Sequence, residues 1–251
     1  MTLLSLVLSL TFIFIPLFLS KVLHLNLEKD TIIATVRSVV QLIAVGYILT
    51  FVFESEGYLY IILMVALIIT TATLNARKKG KYIFGITWKL LITFIAIEAL
   101  VMGVFLGFQI VPPSAQYIIP ISGMLIGNAM VMSILFLNRF RSEIELNEDQ
   151  IELILSLGGT PKQAIHEQLI TSIKASMIPT IEAQKTIGLV QLPGMMSGQI
   201  IGGADPMQAV QFQIVIVFAL LTCSTVSATM LGFLAYPTLF NKQMQKIKRT
   251  N

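Results

Sequence analysis

At 251 residues, 55% of them hydrophobic and 12% charged, with a mean hydropathy of +0.84, the chain lies far from a soluble globular average, and lipid is the solvent for most of it. The net charge of +4 does not mark a nucleic-acid binder, because the Lys and Arg residues fall in short clusters between apolar stretches, where they orient helices in a bilayer. The single cysteine, Cys223, lies in an apolar stretch and cannot form an intrachain disulfide.

Crossing roughly 30 Å of hydrocarbon takes about 20 apolar residues, and little length then remains for a soluble domain. The expected fold is an all-α integral membrane protein, a single transmembrane domain over residues 1–251, with about seven transmembrane helices. In chain order the spans are Leu3 to Ser20, Val36 to Phe53, Tyr58 to Thr73, Trp88 to Val111, Tyr117 to Leu137, Met177 to Ile201, and Ala209 to Tyr236. The N-terminal stretch has no Lys or Arg ahead of it and no small-residue cleavage pattern, which predicts a first span rather than a removable signal peptide.

The connecting segments alternate in charge. Arg77, Lys78, Lys79 and Lys81 mark one cytoplasmic loop, and Arg139, Arg141 and Lys162 another. The C-terminal tail carries Lys242, Lys246, Lys248 and Arg249, whereas the segments with Glu54 and Glu56, Pro112 and Pro113, and Asp205 have no basic residue. This predicts an external N-terminus and a cytoplasmic C-terminus, hence an odd number of spans. Glycines recur at every fourth position in three spans: Gly103 with Gly107, Gly123 with Gly127, and Gly194 with Gly198 and Gly202. Such spacing lets helix backbones approach closely in lipid, most simply for packing within the bundle and alternatively for dimerisation.

Glu98, near the middle of the fourth span, is a candidate for a transport path, against burial beside a polar neighbour. Between the fifth and sixth spans lies an extended polar segment, about 138–176, which reads as two helices joined by a tight turn. The first, around Glu143 to Leu157, has Ile151, Ile154 and Leu155 on one side. It stops at Gly158-Gly159. Thr160 then caps the second helix, with Pro161 at its first position, Gln163 completing a capping box, and Ile165, Leu169 and Ile173 as the apolar stripe. A cytoplasmic helix-turn-helix of this kind suits docking onto a soluble partner, although such segments also lie on membrane surfaces.

The sixth span contains Glu182, Gln184, Lys185, Gln191 and Gln199 together with Pro179 and Pro193, so it cannot face lipid all round. Glu182 and Lys185 can offset each other three residues apart, and Pro193 is expected to break the helix and free carbonyls toward a cavity. Gln191, Pro193, Met195 and Met196, with Gln41, Asn75 and Asn128 from other spans, are the expected lining of a transport path. The twelve methionines offer soft ligands but more often fill gaps. His24 and His166 lack metal-ligand spacing, and no metal site is assigned.

Two sets of residues carry a family resemblance. Glu152, followed after four residues by Leu157-Gly158, resembles the Glu-Ala-Ala-x-x-Leu-Gly loop of ABC-transporter permeases, with Leu153 and Ile154 in place of the alanines and two spans still to follow. Beyond that loop, Arg37-Ser-Val-Val-Gln41-Leu-Ile-Ala-Val-Gly46-Tyr, Ile119-Pro-Ile-Ser-Gly-Met-Leu-Ile-Gly-Asn-Ala-Met130, Leu157-Gly-Gly-Thr-Pro-Lys-Gln-Ala164 and Gly188-Leu-Val-Gln-Leu-Pro-Gly-Met-Met-Ser-Gly198 resemble the FetB (YbbM-like) family of ABC permeases. The resemblance implies a permease subunit in the cell membrane, associated with iron export. It also implies a cytoplasmic ABC ATPase subunit as partner and a second copy of the permease. Glu152, Leu157, Gly158, Gly159, Thr160 and Pro161 become the implied contact with the ATPase.

The sequence contains no Gly-x-x-x-x-Gly-Lys-Ser/Thr loop to cradle phosphates, so ATP and Mg are expected on the partner and no cofactor on this chain. A secondary transporter driven by an ion gradient is the alternative, with Glu98 as its protonatable group. An intramembrane enzyme is disfavoured, since no His-Glu-x-x-His, nucleophile elbow or paired-Asp constellation is present.

Overall fold

The structure, a computed structural model, describes residues 10–54 and 57–241. Among them it is helical, and it divides into two compact units, Met1–Gly57 and Tyr58–Asn251. In the first unit, α1 (Phe14–Val22) follows a short 3-10 turn and leads to α2 (Glu28–Glu54). Ser20 clamps the link: its hydroxyl donates to Glu28 Oε1 at 2.7 Å and accepts from the Leu27 amide at 3.1 Å. The second expected span lies within α2. The start of the first expected span, residues 3–9, and the tail lysines lie outside the described residues.

The second unit is a bundle of α3 (Tyr58–Ala76), α4 (Ile86–Gly107), α5 (Ala115–Leu146), α6 (Glu148–Ser156), α7 (Pro161–Thr186), α8 (Gly194–Ile201) and α9 (Pro206–Ala235). Among the described residues, α2, α3, α4, α5 and α9 with the 3-10 turn after it are long and apolar enough to cross a membrane. The third, fourth, fifth and seventh expected spans fall on α3, α4, α5 and α9. α5 occupies the centre, packed against α3, α4, α7 and α9. Its Phe136 and Phe140 rings stack at 5.2 Å between centroids and are fully buried, as are Leu125, Ile126 and Leu137.

α7 runs antiparallel to α5 and α9. Leu169 lies against Phe136 and Gly232, whereas Thr180, eleven residues on, meets Met132 and Ser224, which stand nearer the opposite ends of those helices.

Three expectations change. The sixth span does not begin at Met177, because one helix, α7, runs from Pro161 to Thr186, and α8 starts only at Gly194. The break occurs at Ile187-Gly188, not at Pro193: Gly188 adopts φ +87°, a left-handed conformation that closes a tight turn, while Pro179 stands within α7 and Pro193 merely precedes α8. Finally, a Cβ added at Gly103, Gly107, Gly127, Gly194 or Gly198 would meet nothing within 4 Å, so those stripes do not mediate close packing among the described residues. Close approach falls instead at Gly232, where a Cβ would lie 2.8 Å from Leu169 Cδ1 and 3.1 Å from Phe136 Cζ.

Candidate functional site

Two regions hold most of the residues singled out from the sequence. The first is the elbow between α5 and α7. α5 continues to Leu146, beyond the fifth expected span, stiffened by ion pairs Arg139 to Glu143 and Arg141 to Glu145. Asn147 ends it by donating to the Glu143 carbonyl at 2.9 Å, so the elbow's first helix begins at Glu148 rather than Glu143. Ile151 is fully buried, and Ile154 and Leu155 pack against the core beside it.

The turn follows the expected chemistry. Gly158 has φ +86°, where a side chain is strained. Gly159 passes so close to α6 that a Cβ would stand 2.8 Å from the Ile154 carbonyl oxygen. Thr160 Oγ1 accepts from the Gln163 amide at 3.3 Å, and Gln163 Oε1 accepts from the Thr160 amide at 2.9 Å, completing the capping box ahead of Pro161. Ile165, Leu169 and Ile173 are buried, as their stripe predicts. Glu152, Leu153, Leu157 and Thr160 are exposed, with Leu157 at 79%. A buried apolar spine therefore carries a tip whose polar and apolar side chains stand exposed among the described residues.

The second region is a cavity of about 370 Å³ between α5, the C-terminal half of α7, the turn after it, α8 and α9. Asn128, Gln191, Pro193 and Met195 line it, together with Gln184, already noted among the polar residues of the sixth span, and with Thr180 and Gln213, which the sequence did not single out. A ladder of polar contacts forms its wall. Asn128 Nδ2 donates to Ser224 Oγ at 2.8 Å and to the Leu220 carbonyl at 3.3 Å. Ser224 and Thr180 hydroxyls lie 3.2 Å apart, and Thr180 reaches Met132 Sδ at 3.3 Å. Gln184 Nε2 donates to the Val217 carbonyl at 3.0 Å. Gln213 is buried with its Oε1 unpartnered among the described residues, leaving an acceptor of the kind that a ligand's donor satisfies.

Gln213 and Pro193 also border an adjoining cavity of about 620 Å³, where Met196 lies. The lining of the first cavity is uncharged, made of amides, hydroxyls, thioethers and apolar groups. Among the described residues no three His, Cys, Asp or Glu side chains come together to hold a metal ion.

The remaining candidates are not among the residues that line this cavity. Asn75, exposed on α3, donates to Met130 Sδ at 3.4 Å. Gln41 belongs to the first unit, on α2. Glu98 borders neither cavity and has the polar neighbour that its burial reading requires, accepting from Ser122 Oγ, while its Oε2 is buried without a partner among the described residues. Thr180, Gln213 and Ser224 carried little signal in sequence, because a single hydroxyl or amide on an apolar helix gives no hint of its tertiary partner.

Residues 3–240 match the family described as Uncharacterised protein family (UPF0014). The chain is 49% identical over 242 residues to the UPF0014 membrane protein YjkA of Bacillus subtilis (strain 168), covering 96% of this chain and 97% of that protein. It is 38% identical to the Probable iron export permease protein FetB of Escherichia coli (strain K12), over 97% of this chain and 94% of the relative. Protein ALUMINUM SENSITIVE 3 of Arabidopsis thaliana is 32% identical over 94% of this chain and 87% of its own length. No solved structure matches.

Proposed function

The chain belongs to the UPF0014 family of membrane proteins, and from that premise we propose that it is the membrane-spanning permease subunit of an ABC exporter, moved by an ATPase on a separate chain. The observation that carries this reading is the elbow. A rigid, capped turn with an exposed Glu152, Leu157 and Thr160 rises from a spine whose Ile151, Ile165 and Leu169 are rooted in the core. A push on that tip is transmitted along α7 to the cavity wall at Thr180 and Gln184, because α7 is one continuous helix from Pro161 to Thr186. In this reading Glu152, Leu157, Gly158, Gly159, Thr160 and Pro161 meet the ATPase on the cytoplasmic side, the N-terminus is external and the C-terminus cytoplasmic. ATP and Mg bind the partner, and two copies of this chain assemble with two ATPases. Asn128, Gln191, Pro193 and Met195 belong to the path side, with Met196 and Asn75 as its outlying candidates.

The cargo is a metal ion, iron by analogy with the relative named a probable iron export permease. A gradient-driven mechanism has less support, since Glu98 borders neither cavity. The test is co-purification with the ATPase and nucleotide-driven iron transport in vesicles. Gly158→Val places a β-branched residue at φ +86°, a strain of about 1–2 kcal/mol confined to the turn. Insertion is expected to persist while ATPase-coupled transport is lost; full transport by that variant, or by the lone chain without nucleotide, refutes the assignment.

A further inference from the structure

α7 carries two polar surfaces back to back. One lines the cavity through Thr180 and Gln184. The other carries the charged Lys174, Glu182 and Lys185 with the apolar Ile178 between them, and their spacing of four, four and three residues puts all four on a single helical face. That face is turned away from the side carrying Leu169, Ile173 and Ser176, which are buried in the bundle. Lys185 Nζ donates to Glu182 Oε1 at 2.7 Å, and the two side chains are 62% and 60% exposed.

The depth of this ion pair follows from the registers already given. Thr180 is level with Met132, which stands seven residues before Arg139 on α5. At about 1.5 Å of rise per residue, Met132 and Thr180 lie about 10 Å in from the charged end of α5. Glu182 is half a turn farther along the antiparallel α7, about 14 Å in, near the middle of a hydrocarbon core of about 30 Å. Gln184, whose amide reaches the Val217 carbonyl on α9, extends the same register outward. Lys174, by the same count, stands close to the Arg139 level, where a lysine reaches the interface. Glu182 has no such escape, because its side chain is too short to bring a carboxylate from mid-depth to water.

Charges at mid-depth are expelled from lipid unless they face protein or water. An ion pair there, still more than half exposed on the outward face of its helix, is placed where a lipid-facing helix would carry Leu or Ile. We propose that the outward face of α7 borders a water-filled transport path, in which Glu182 and Lys185 form a charged station where a cation displaces Lys185 from the Glu182 carboxylate. The cargo is cationic rather than anionic because Glu182 is the carboxylate of this face, and a cation that takes the place of Lys185 beside it leaves that charge compensated at mid-depth. The inference rests on the permease reading and extends it to the side of α7 opposite the amide-lined cavity.

Two measurements test it in the full chain. Cys223 is fully buried, so Cys223→Ala provides a background for single-cysteine labelling in vesicles without nucleotide or ATPase. Glu182→Cys is expected to react with a charged, water-soluble maleimide about 10-fold faster than Leu67→Cys, an exposed apolar position at the middle of α3. Equal slow labelling overturns the proposal, whether lipid or a second copy of the chain covers the face, and leaves the ATPase-coupled reading standing. The second measurement is a charge swap, Glu182→Lys with Lys185→Glu. Membrane abundance should match the native chain while vesicle transport of ferrous ion falls about 10-fold or more, because the ion pair survives with its polarity reversed. Native transport by the swapped chain would reduce the pair to a structural tie and overturn the station.

Discussion

The α5–α7–α9 bundle is built differently at its two ends. Toward the elbow, Phe136 and Phe140 stack, Gly232 admits Leu169 to within a distance that a methyl group would occupy, and ion pairs stiffen the last turns of α5. Toward the other end α7 stops at a tight turn, Leu189 is 95% exposed, and the helices part around a cavity bounded by hydroxyls and amides. In lipid the hydrophobic effect does not press helices together, so contact distance and interhelical hydrogen bonds set local stiffness. The contrast separates a rigid end that can transmit a displacement from an open end that can respond to one.

Filling the close contact between α9 and α7 is the most severe way to break that contrast. Gly232→Leu drives a side chain into Phe136 and Leu169, and overpacking of this kind costs about 1–3 kcal/mol, occasionally more. Thermal unfolding in detergent is expected to shift down markedly, with loss of membrane-extracted protein. The same glycine-to-leucine change at Gly127, where a Cβ meets nothing within 4 Å, should leave the unfolding temperature nearly unchanged; equal loss at both positions would mean the two ends are packed alike.

A milder probe of the rigid end is Tyr82, in the loop between α3 and α4, whose hydroxyl donates to the Leu137 carbonyl at 2.8 Å. Burial pushes its phenol above the ordinary value of 10.0, and the nearby Arg141 only partly opposes this. With a folded-state value above the unfolded one, the folded chain keeps the proton longer. The associated stability is therefore whole below pH 10 and drains away as pH climbs past that value toward the folded-state one. Tyr82→Phe should cost about 1 kcal/mol at neutral pH through the lost hydrogen bond, and flatten the fall of unfolding temperature above about pH 10. An unaltered alkaline slope would mean that the Tyr82 phenol is not shielded from water in the folded chain.

How much of this was legible in sequence depends on the range of the interactions. The capping box at Thr160 and Gln163 and the stop at Gly158-Gly159 involve neighbours a few residues apart, and they stand as the pattern requires. The stripe Ile165, Leu169 and Ile173 was equally plain because helical period alone fixes it. The extent of the sixth span was misread, since two prolines drew attention from Gly188, whose left-handed conformation ends α7. The four-residue glycine repeats promised close packing that the bundle places at Gly232, a position with no repeat to mark it. Of the cavity, Asn128, Gln191, Pro193 and Met195 were visible as polar or helix-breaking residues in apolar surroundings. Gln213 and Ser224 were not, because their roles arise only when α9 is set beside α7 and α5.

At the open end the smallest stability effect should accompany a large functional one. Asn128→Leu removes the two donations to Ser224 and the Leu220 carbonyl, and interhelical hydrogen bonds in membranes average only about 0.6 kcal/mol each. The leucine is close in size, Ser224 keeps its own bond to the Leu220 carbonyl at 2.8 Å, and Thr180 remains beside it. The unfolding temperature should therefore move little, and association with the ATPase should not move at all, since the elbow lies at the other end of α7. Vesicle transport, in contrast, should change in rate or selectivity, because one of the few polar groups on the cavity wall has become apolar. If Asn128→Leu unfolded the chain as readily as Gly232→Leu, the polar ladder would be a structural tie, and the open end would owe its shape to the same close packing as the rigid one.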